Sequence, residues 1–372
     1  MTKTRATIHQ LVHTLSYGDA ISTEVLALQR ALRARKIPSE IFSMNSHPKL
    51  KGQARHFADL TASAPCDVIL HYSLGSPLND LYRSWTQGRR VLVYHNITPS
   101  VWYRAINNRV ADDIDVGIAE LPQLCGISDQ IWADSEFNRQ EIRALGYEAR
   151  VLDLLVDPRR WDAPRNEPLY QSVVNTPGTQ VLHVGRIAPN KRVEDVIKSF
   201  YFLRKYRDPQ ARLRLVGIDT DTELYSFSLR ELAAYLGIGE SVEFVGGLAD
   251  DEVRAMYEAS DVYLCMSEHE GFCLPLIEAM HFRLPVVAFD AGAVPATLGG
   301  AGVLVSEKRH ADIGELLWRV ATDTTLRDAL ISRGVVRVGA FTYERFSESV
   351  AGLVKDLQET NPTAQRMDAR AV

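Results

Sequence analysis

Cysteine is scarce: Cys66, Cys125, Cys265 and Cys273 are the four in 372 residues, and no two form a Cys-x-x-Cys pair. That excludes a disulfide framework and a zinc cage, and predicts four buried thiols. No apolar run approaches the ~18 residues that a membrane-spanning helix needs. The opening stretch MTKTRATIHQLVHTLSYGDA holds no long apolar segment followed by a small-residue cleavage site, so the chain reads as cytoplasmic. An excess of positive charge is missing as well. The net charge of -5 argues against nucleic acid as a partner, because phosphate backbones call for a basic surface. No Gly-x-Gly-x-x-Gly follows a strand and no Walker A is present, which argues against a nicotinamide dehydrogenase and a P-loop enzyme. There is no residue-level repeat and no low-complexity segment.

What is present is ordinary in amount and ordered in arrangement. Apolar residues make up 46% and charged residues 24%, the balance of a soluble globular protein. The length suits two cores. Charge is uneven: residues 1–160 carry 19 Lys and Arg against 17 Asp and Glu, whereas the remainder carries 23 against 30. The basic clusters at Lys49, Lys51 and Arg55 and at Arg89 and Arg90 leave room for an anionic acceptor or for peripheral contact with the inner face of a membrane. A solvated face is the plainer reading of such clusters.

Short β-branched runs alternate with helical patterns, the signature of parallel sheet with crossover helices. In the first half the predicted strands are 7–13, 39–43, 67–73, 90–95, 130–135 and 149–156. Between the first two, Ile21, Val25, Leu28 and Leu32 fall on one helical face behind Asp19, a candidate N-cap. The second set of strands is 179–186, 212–217, 241–247, 261–267, 285–290 and 302–306. These readings predict an α/β fold of two doubly wound, Rossmann-like domains facing across a cleft. The boundaries are 1–160 for the N-terminal domain, 161–177 for a proline-rich linker and 178–342 for the C-terminal domain. A helix follows at 343–360, with Phe346, Val350, Leu353, Val354 and Leu357 on helical spacing, read as crossing back to the N-terminal domain; 361–372 reads as a mobile tail.

Ligands of open α/β sheets sit beyond the carboxyl ends of strands, so residues there carry the functional reading. In GRIAPNKR, Arg186 leaves one strand and Lys191 precedes a helix, so both are expected to reach one point; a guanidinium fork and a mobile ammonium suit a diphosphate. In SEHEGFCLPLIEAM, Glu270 and Glu278 are separated by seven residues, around Gly271, Phe272, Cys273, Leu274 and Pro275. Pro275 suits the first position of a helix, whose N-terminus attracts an anion, and Gly271 permits close backbone approach. Ionised carboxylates beside a diphosphate need hydroxyl partners. A diphosphate between two polyhydroxylated rings satisfies every part, which names a nucleotide sugar. The plain alternatives are a solvated basic loop for Arg186 and Lys191, a loop acid for Glu270 and a helix-surface acid for Glu278.

These stretches, with LPVVAFDAGAVPATLGGAGVLV, resemble the retaining glycosyltransferases of family 4, which have the GT-B fold. The resemblance implies that Glu270 binds hydroxyls of the transferred sugar, Glu278 the ribose, and Arg186 with Lys191 the diphosphate. It implies that Gly18, after the first strand, approaches the phosphates, and that His95 in YHN lies by the sugar. Catalytic roles then fall to His95, Arg186, Lys191 and Glu270. Donor binding falls to Gly18, Arg186, Lys191, Glu270, Gly271, Phe272, Cys273, Leu274 and Glu278. Also implied are retention by front-face attack, no metal and no cofactor beyond the nucleoside diphosphate sugar, UDP- or GDP-linked. The acceptor is left open among carbohydrate, lipid-linked and small-molecule hydroxyls. The chain departs from the family at YGD, where paired glycines are common, at Cys273 and Arg283, where Gly is common, and at Ala296, where Glu is common.

Two rivals belong to other classes. A noncatalytic or degenerate nucleotide-sugar-binding protein would bind without turnover. A glycoside hydrolase would use two carboxylates but would have no need of Arg186, Lys191 and a helix N-terminus aimed at phosphates. The Asp-Thr-Asp at 219–221 would suit a metal-dependent transferase, but a helix-capping loop explains it more simply.

Overall fold

The computed structural model describes residues 7–359, so the tail predicted at 361–372 lies outside them. Two compact units are present. Within the described residues the first comprises 7–99, 112–157 and 341–359, and the second 100–111 and 158–340. Among the described residues no helix is long and apolar enough to cross a membrane.

The first unit is built on seven parallel strands: β1 (Ile8–Leu15), β2 (Ile41–Ser46), β3 (Arg55–His56), β4 (Asp67–Tyr72), β5 (Arg90–Tyr94), β6 (Gln130–Ala133) and β7 (Arg150–Val151). Their order is β3-β2-β1-β4-β5-β6-β7. The first helix, Ala20–Ala34, starts where Asp19 accepts hydrogen bonds from the Ile21 and Ser22 amides at 2.7 and 3.3 Å. Its Ala27, Leu28, Ala31 and Leu32 share one buried cluster with Phe346, Val350, Leu353, Val354 and Leu357 of the last helix, Tyr343–Glu359. That helix belongs to the first unit.

The second unit holds β8 (Gln180–Val184), β9 (Arg212–Val216), β10 (Val242–Gly246), β11 (Val262–Cys265), β12 (Val286–Phe289) and β13 (Val303–Val305). All pair in parallel in the order β10-β9-β8-β11-β12-β13. The sheet is doubly wound, and its strand order reverses between β8 and β11.

Three sequence expectations change. The run at 149–156 pairs only at Arg150–Val151; Leu152, Leu154, Leu155 and Val156 are buried without extending the sheet, and the Val156 amide donates to the Phe341 carbonyl at 3.0 Å. The stretch read as a linker contains a helix, Glu167–Val174, capped by Asn166 and tolerating Pro168 in its first turn, where no amide is lost. Residues 100–111, assigned to the first domain from sequence, pack with the second unit.

Helix Leu274–His281 ends on Phe282, and Arg283 follows in the left-handed region at φ 58°. Its amide bonds the Met280 carbonyl, and the Leu284 amide bonds that of Ala279 at 2.8 Å, a closure in which glycine is favoured. The exposed Arg283 therefore holds a conformation disfavoured for a side-chain-bearing residue. Arg283→Gly is expected to raise unfolding stability by about 0.5–1 kcal/mol in denaturant titration. A loss of stability would mean that the arginine side chain supports this turn.

Candidate functional site

The strand order of the second sheet reverses between β8 and β11, and the two loops leaving these strands carry the sequence-predicted residues. Arg186 and Lys191 follow β8, and Glu270 follows β11. The loops are zipped together: the Glu268 amide donates to the Asn190 carbonyl at 2.9 Å, and the Asn190 side chain donates to the His269 carbonyl at 3.1 Å.

At their junction the Lys191 Nζ lies 2.6 and 2.7 Å from the two carboxylate oxygens of Glu270. Both side chains are largely buried, 20% and 8% exposed. Burial pushes each group toward its neutral form, and the opposing charge more than reverses this. The Lys191 ammonium is held above its ordinary range, and the Glu270 carboxyl below its own with help from the Ser267 hydroxyl and Cys273 thiol. The backbone of Glu270 is fixed by Gly292 at φ 56°. A Cβ there would fall 2.8 Å from the Glu270 carbonyl oxygen, and the Ala293 amide donates to that oxygen at 3.0 Å.

After Glu270 the chain passes Gly271 and buried Phe272, whose carbonyl accepts from Thr297 Oγ1 at 2.5 Å. It reaches Cys273, the N-cap residue, in the left-handed region at φ 70°, and Leu274 is the first helical residue. Pro275 is thus the second helical position, not the first, because Cys273 completes the turn. Its thiol lies 3.9 Å from that of Cys265, and all four cysteines are free and buried.

Glu278 lies on the same helix and is buried. One oxygen accepts from the Arg160 guanidinium at 2.5 Å and the other from the Tyr257 hydroxyl at 2.9 Å, while Arg160 also donates to Asp250 at 2.7 Å. Arg186 does not meet Lys191. It donates to the Thr220 carbonyl at 2.6 Å and lies 3.9 Å from Asp221, because the loop after β9 offers it acceptors while Glu270 takes the lysine. The Asp-Thr-Asp stretch forms that loop: Thr222 stands at the N-cap position of helix Glu223–Tyr235 with its hydroxyl donating to the Ile187 carbonyl at 2.6 Å, and Asp221 pairs with Arg109 at 2.9 Å.

Gly18 and His95 belong to the first unit. Gly18 is exposed at φ 81°, just before the cap of the first helix. The His95 imidazole is fully buried. Gln10 donates through its amide to the Val25 carbonyl, so its oxygen accepts from His71 Nε2 at 2.9 Å. His71 Nδ1, neutral because burial and the neighbouring His95 lower its basicity, then accepts from His95 Nε2 at 2.8 Å. His95 Nδ1 faces Glu24 at 3.5 Å and Asp134 at 3.4 Å. Burial opposes charge on His95, but Glu24, Asp134 and Asp19 raise its pKa above the ordinary value. Glu24, from the first helix, is completely buried, and burial pushes it up to about 8 against the pull of His95. Neither of its oxygens has a hydrogen-bond partner among the described residues.

Among the described residues two clusters have the composition of a metal site: Glu24, His71 and His95, and Cys265, Glu270 and Cys273. In the second the Lys191 ammonium already takes the cation's place on Glu270. In the first, the facing nitrogens of His71 and His95 are bonded to each other.

The buried partners Arg160, Tyr257, Glu24 and His71 were not found from sequence. A charged residue in the middle of the otherwise apolar first-helix face was the one available signal for Glu24. Its raised pKa has a sign that can be checked. The folded state keeps a proton that the unfolded state releases above about pH 4.5, so stability falls as pH rises from there toward 8. The raised His95 works in the same direction, its stabilisation lost as pH passes its folded-state pKa. Glu24→Gln is expected to flatten this slope and to stabilise the protein by on the order of 2–4 kcal/mol at pH 8 relative to wild type. Equal slopes in thermal unfolding from pH 5 to pH 9 would show that Glu24 is charge-compensated.

Comparison with known proteins places this geometry. Residues 169–336 match the glycosyl transferases group 1 family. D-inositol 3-phosphate glycosyltransferase of Actinosynnema mirum is 27% identical over 368 residues, covering 93% of this chain and 85% of the relative. Sucrose-phosphate synthase from Thermosynechococcus elongatus superposes with a TM-score of 0.76 at 18% identity, covering 96% of this chain and all of that one. Anabaena HepE in complex with UDP and glucose superposes with a TM-score of 0.71 at 16% identity, covering 95% of this chain and all of that one. The two Rossmann-like units are those of the GT-B fold, and the second carries the match to the glycosyl transferases group 1 family.

Proposed function

We propose that the protein is a retaining, metal-independent hexosyltransferase. It moves a hexose from a UDP- or GDP-linked donor to a hydroxyl acceptor in glycan, polysaccharide or glycolipid synthesis. The observation that carries this reading is the buried Lys191–Glu270 pair at the point where the second sheet reverses, beside the start of helix Leu274–His281. The UDP and glucose held by HepE support the donor class.

The chemistry follows from charge. As the bond from sugar to diphosphate breaks, negative charge grows on the leaving group and positive charge on the anomeric carbon. Glu270 takes two of the Lys191 N–H groups and leaves the third for a phosphate oxygen. Arg186, 38% exposed, can turn its guanidinium from the Thr220 carbonyl to the diphosphate. The helix N-terminus adds positive potential there. Glu270 accepts a hydroxyl of the sugar. Glu278 retains acceptor capacity for a ribose hydroxyl, because a carboxylate offers about four lone-pair sites and Arg160 and Tyr257 use two.

Arg186→Ala is expected to fold as wild type and to lose transfer by on the order of 100- to 1,000-fold. Lys191→Ala is expected to lose transfer and in addition ~3–5 kcal/mol of stability, since it strands the buried Glu270 charge. A thermal-shift panel of UDP, GDP, ADP and dTDP reads the donor base. Saturation at about 100 times the dissociation constant adds ~2.7 kcal/mol, and Arg186→Ala should abolish the shift. No shift with any nucleotide would reduce the reading to a degenerate binding protein. Cleavage of an aryl glycoside would turn it to a hydrolase. An inverted anomeric product by NMR, or loss of activity in chelator, would overturn retention or metal independence.

A further inference from the structure

Cysteine is scarce in this chain, yet two of its four thiols meet at the candidate site. Cys265 ends β11 and Cys273 is the N-cap residue of helix Leu274–His281, so the loop that carries Glu270 begins at one sulfur and ends at the other. The two Sγ atoms lie 3.9 Å apart, and both are within 4.8 Å of a Glu270 carboxylate oxygen. Cys273 occupies the left-handed region at φ 70°, a costly conformation for a residue with a side chain, at a position where the resembled family commonly has glycine. Its thiol is therefore a feature of this chain and not of the fold.

The four thiols differ in chemistry. In the first unit burial pushes the Cys66 thiol up to about 11 and the Cys125 thiol up to about 12, so both stay protonated and unreactive. In the second unit hydrogen bonding with Cys273 holds the Cys265 thiol below its ordinary range despite its burial, and the same contact raises that of Cys273. One sulfur is thus poised as a thiolate beside a protonated partner, the arrangement from which thiols are oxidised. A disulfide holds its sulfurs about 2.05 Å apart, so a bond here would draw the pair together by about 1.9 Å. That movement would pull the start of the helix toward β11 and remove the thiol that supports Glu270.

We propose that Cys265 and Cys273 are a modification site, which a peroxide oxidises to a disulfide that weakens binding of the nucleoside diphosphate donor. This rests on the transferase reading and deepens it by adding a regulation of the same site. With hydrogen peroxide, the Cys265 sulfur attacks one oxygen, the O–O bond breaks, and a sulfenic acid and one water form. The Cys273 sulfur then displaces the hydroxyl group, which leaves with the Cys273 proton as a second water. The two thiols lose two electrons and the peroxide gains them; a dithiol reductant reverses the step. Cys273 is 6% exposed and Cys265 1%, so a molecule as small as hydrogen peroxide enters from the Cys273 side.

The test treats the folded full chain with hydrogen peroxide, alkylates the remaining thiols and reads tryptic digests by mass spectrometry. Two of the four free thiols are expected to disappear. Both proposed partners lie on the tryptic peptide 255–283, which should be recovered unalkylated and two hydrogens lighter, and alkylated after dithiothreitol. Titration calorimetry with UDP and GDP reads the consequence. The nucleotide that binds the reduced protein should bind the oxidised form roughly tenfold or more weakly, and dithiothreitol should restore it. Cys265→Ser should bind that nucleotide equally with and without peroxide, whereas Cys125→Ser should respond as wild type. Four thiols surviving peroxide, a bond through Cys66 or Cys125, or a Cys265–Cys273 bond that leaves nucleotide affinity unchanged would overturn the proposal. If the bond forms but no nucleoside diphosphate binds the reduced protein, the transferase reading is the one that fails.

Discussion

A lysine and a glutamate buried against each other organise the second unit. Burial disfavours the charged forms of both Lys191 and Glu270, and each charge is upheld by the other. Each holds the other charged, and each stands on a different loop. The pair therefore fixes where the loop after β8 meets the loop after β11, and the backbone hydrogen bonds between Glu268 and Asn190 keep the register. It also stores a cation and an anion that one polar, anionic, hydroxyl-rich ligand can use together. An ion pair of this kind adds little net stability over an apolar pair of the same volume. Its presence is better explained by what it recognises than by what it stabilises.

The same junction forces the backbone into conformations that most residues resist. Gly292 meets that demand without cost at φ 56°, packed against the Glu270 backbone. Cys273 and Arg283 do not, although both lie in the left-handed region. At these two positions the chain departs from the glycine common in the resembled family. The structure explains the family's choice: the helix between them is entered and left through left-handed residues. At Cys273 the exchange gives the site a thiol that donates to Glu270, whereas at the exposed Arg283 the structure offers no comparable return.

Much of the architecture was legible because it is carried by local periodicity. The parallel strands of both units, the first helix with Asp19 as its cap and the apolar face of the last helix all follow from spacing. Glu270 and Glu278 were legible because their spacing coincides with a Gly and a Pro. The failures have a common cause. The apolar run at 149–156 looked like a strand, yet most of it is buried as coil, since hydrophobicity reports burial and not pairing. Arg186 and Lys191 looked like one cluster from sequence, but their acceptors, the Thr220 carbonyl and Glu270, come from loops 34 and 79 residues away. Partners of a buried polar group lie across the fold, and no local pattern announces them.

The first unit gives the opposite solution to the same physical problem. Its buried polar chain runs from Gln10 through His71 to His95, where each hydrogen-bond role is fixed by the one before it, and ends on two carboxylates that are too distant for strong bonds. Glu24 thereby remains without a donor, and its raised pKa follows from that geometry. A structure selected for stability alone would place an apolar side chain on this face of the first helix. The retained carboxyl, its proton held by burial, lies beside His95 beneath the turn that carries Gly18 and Asp19.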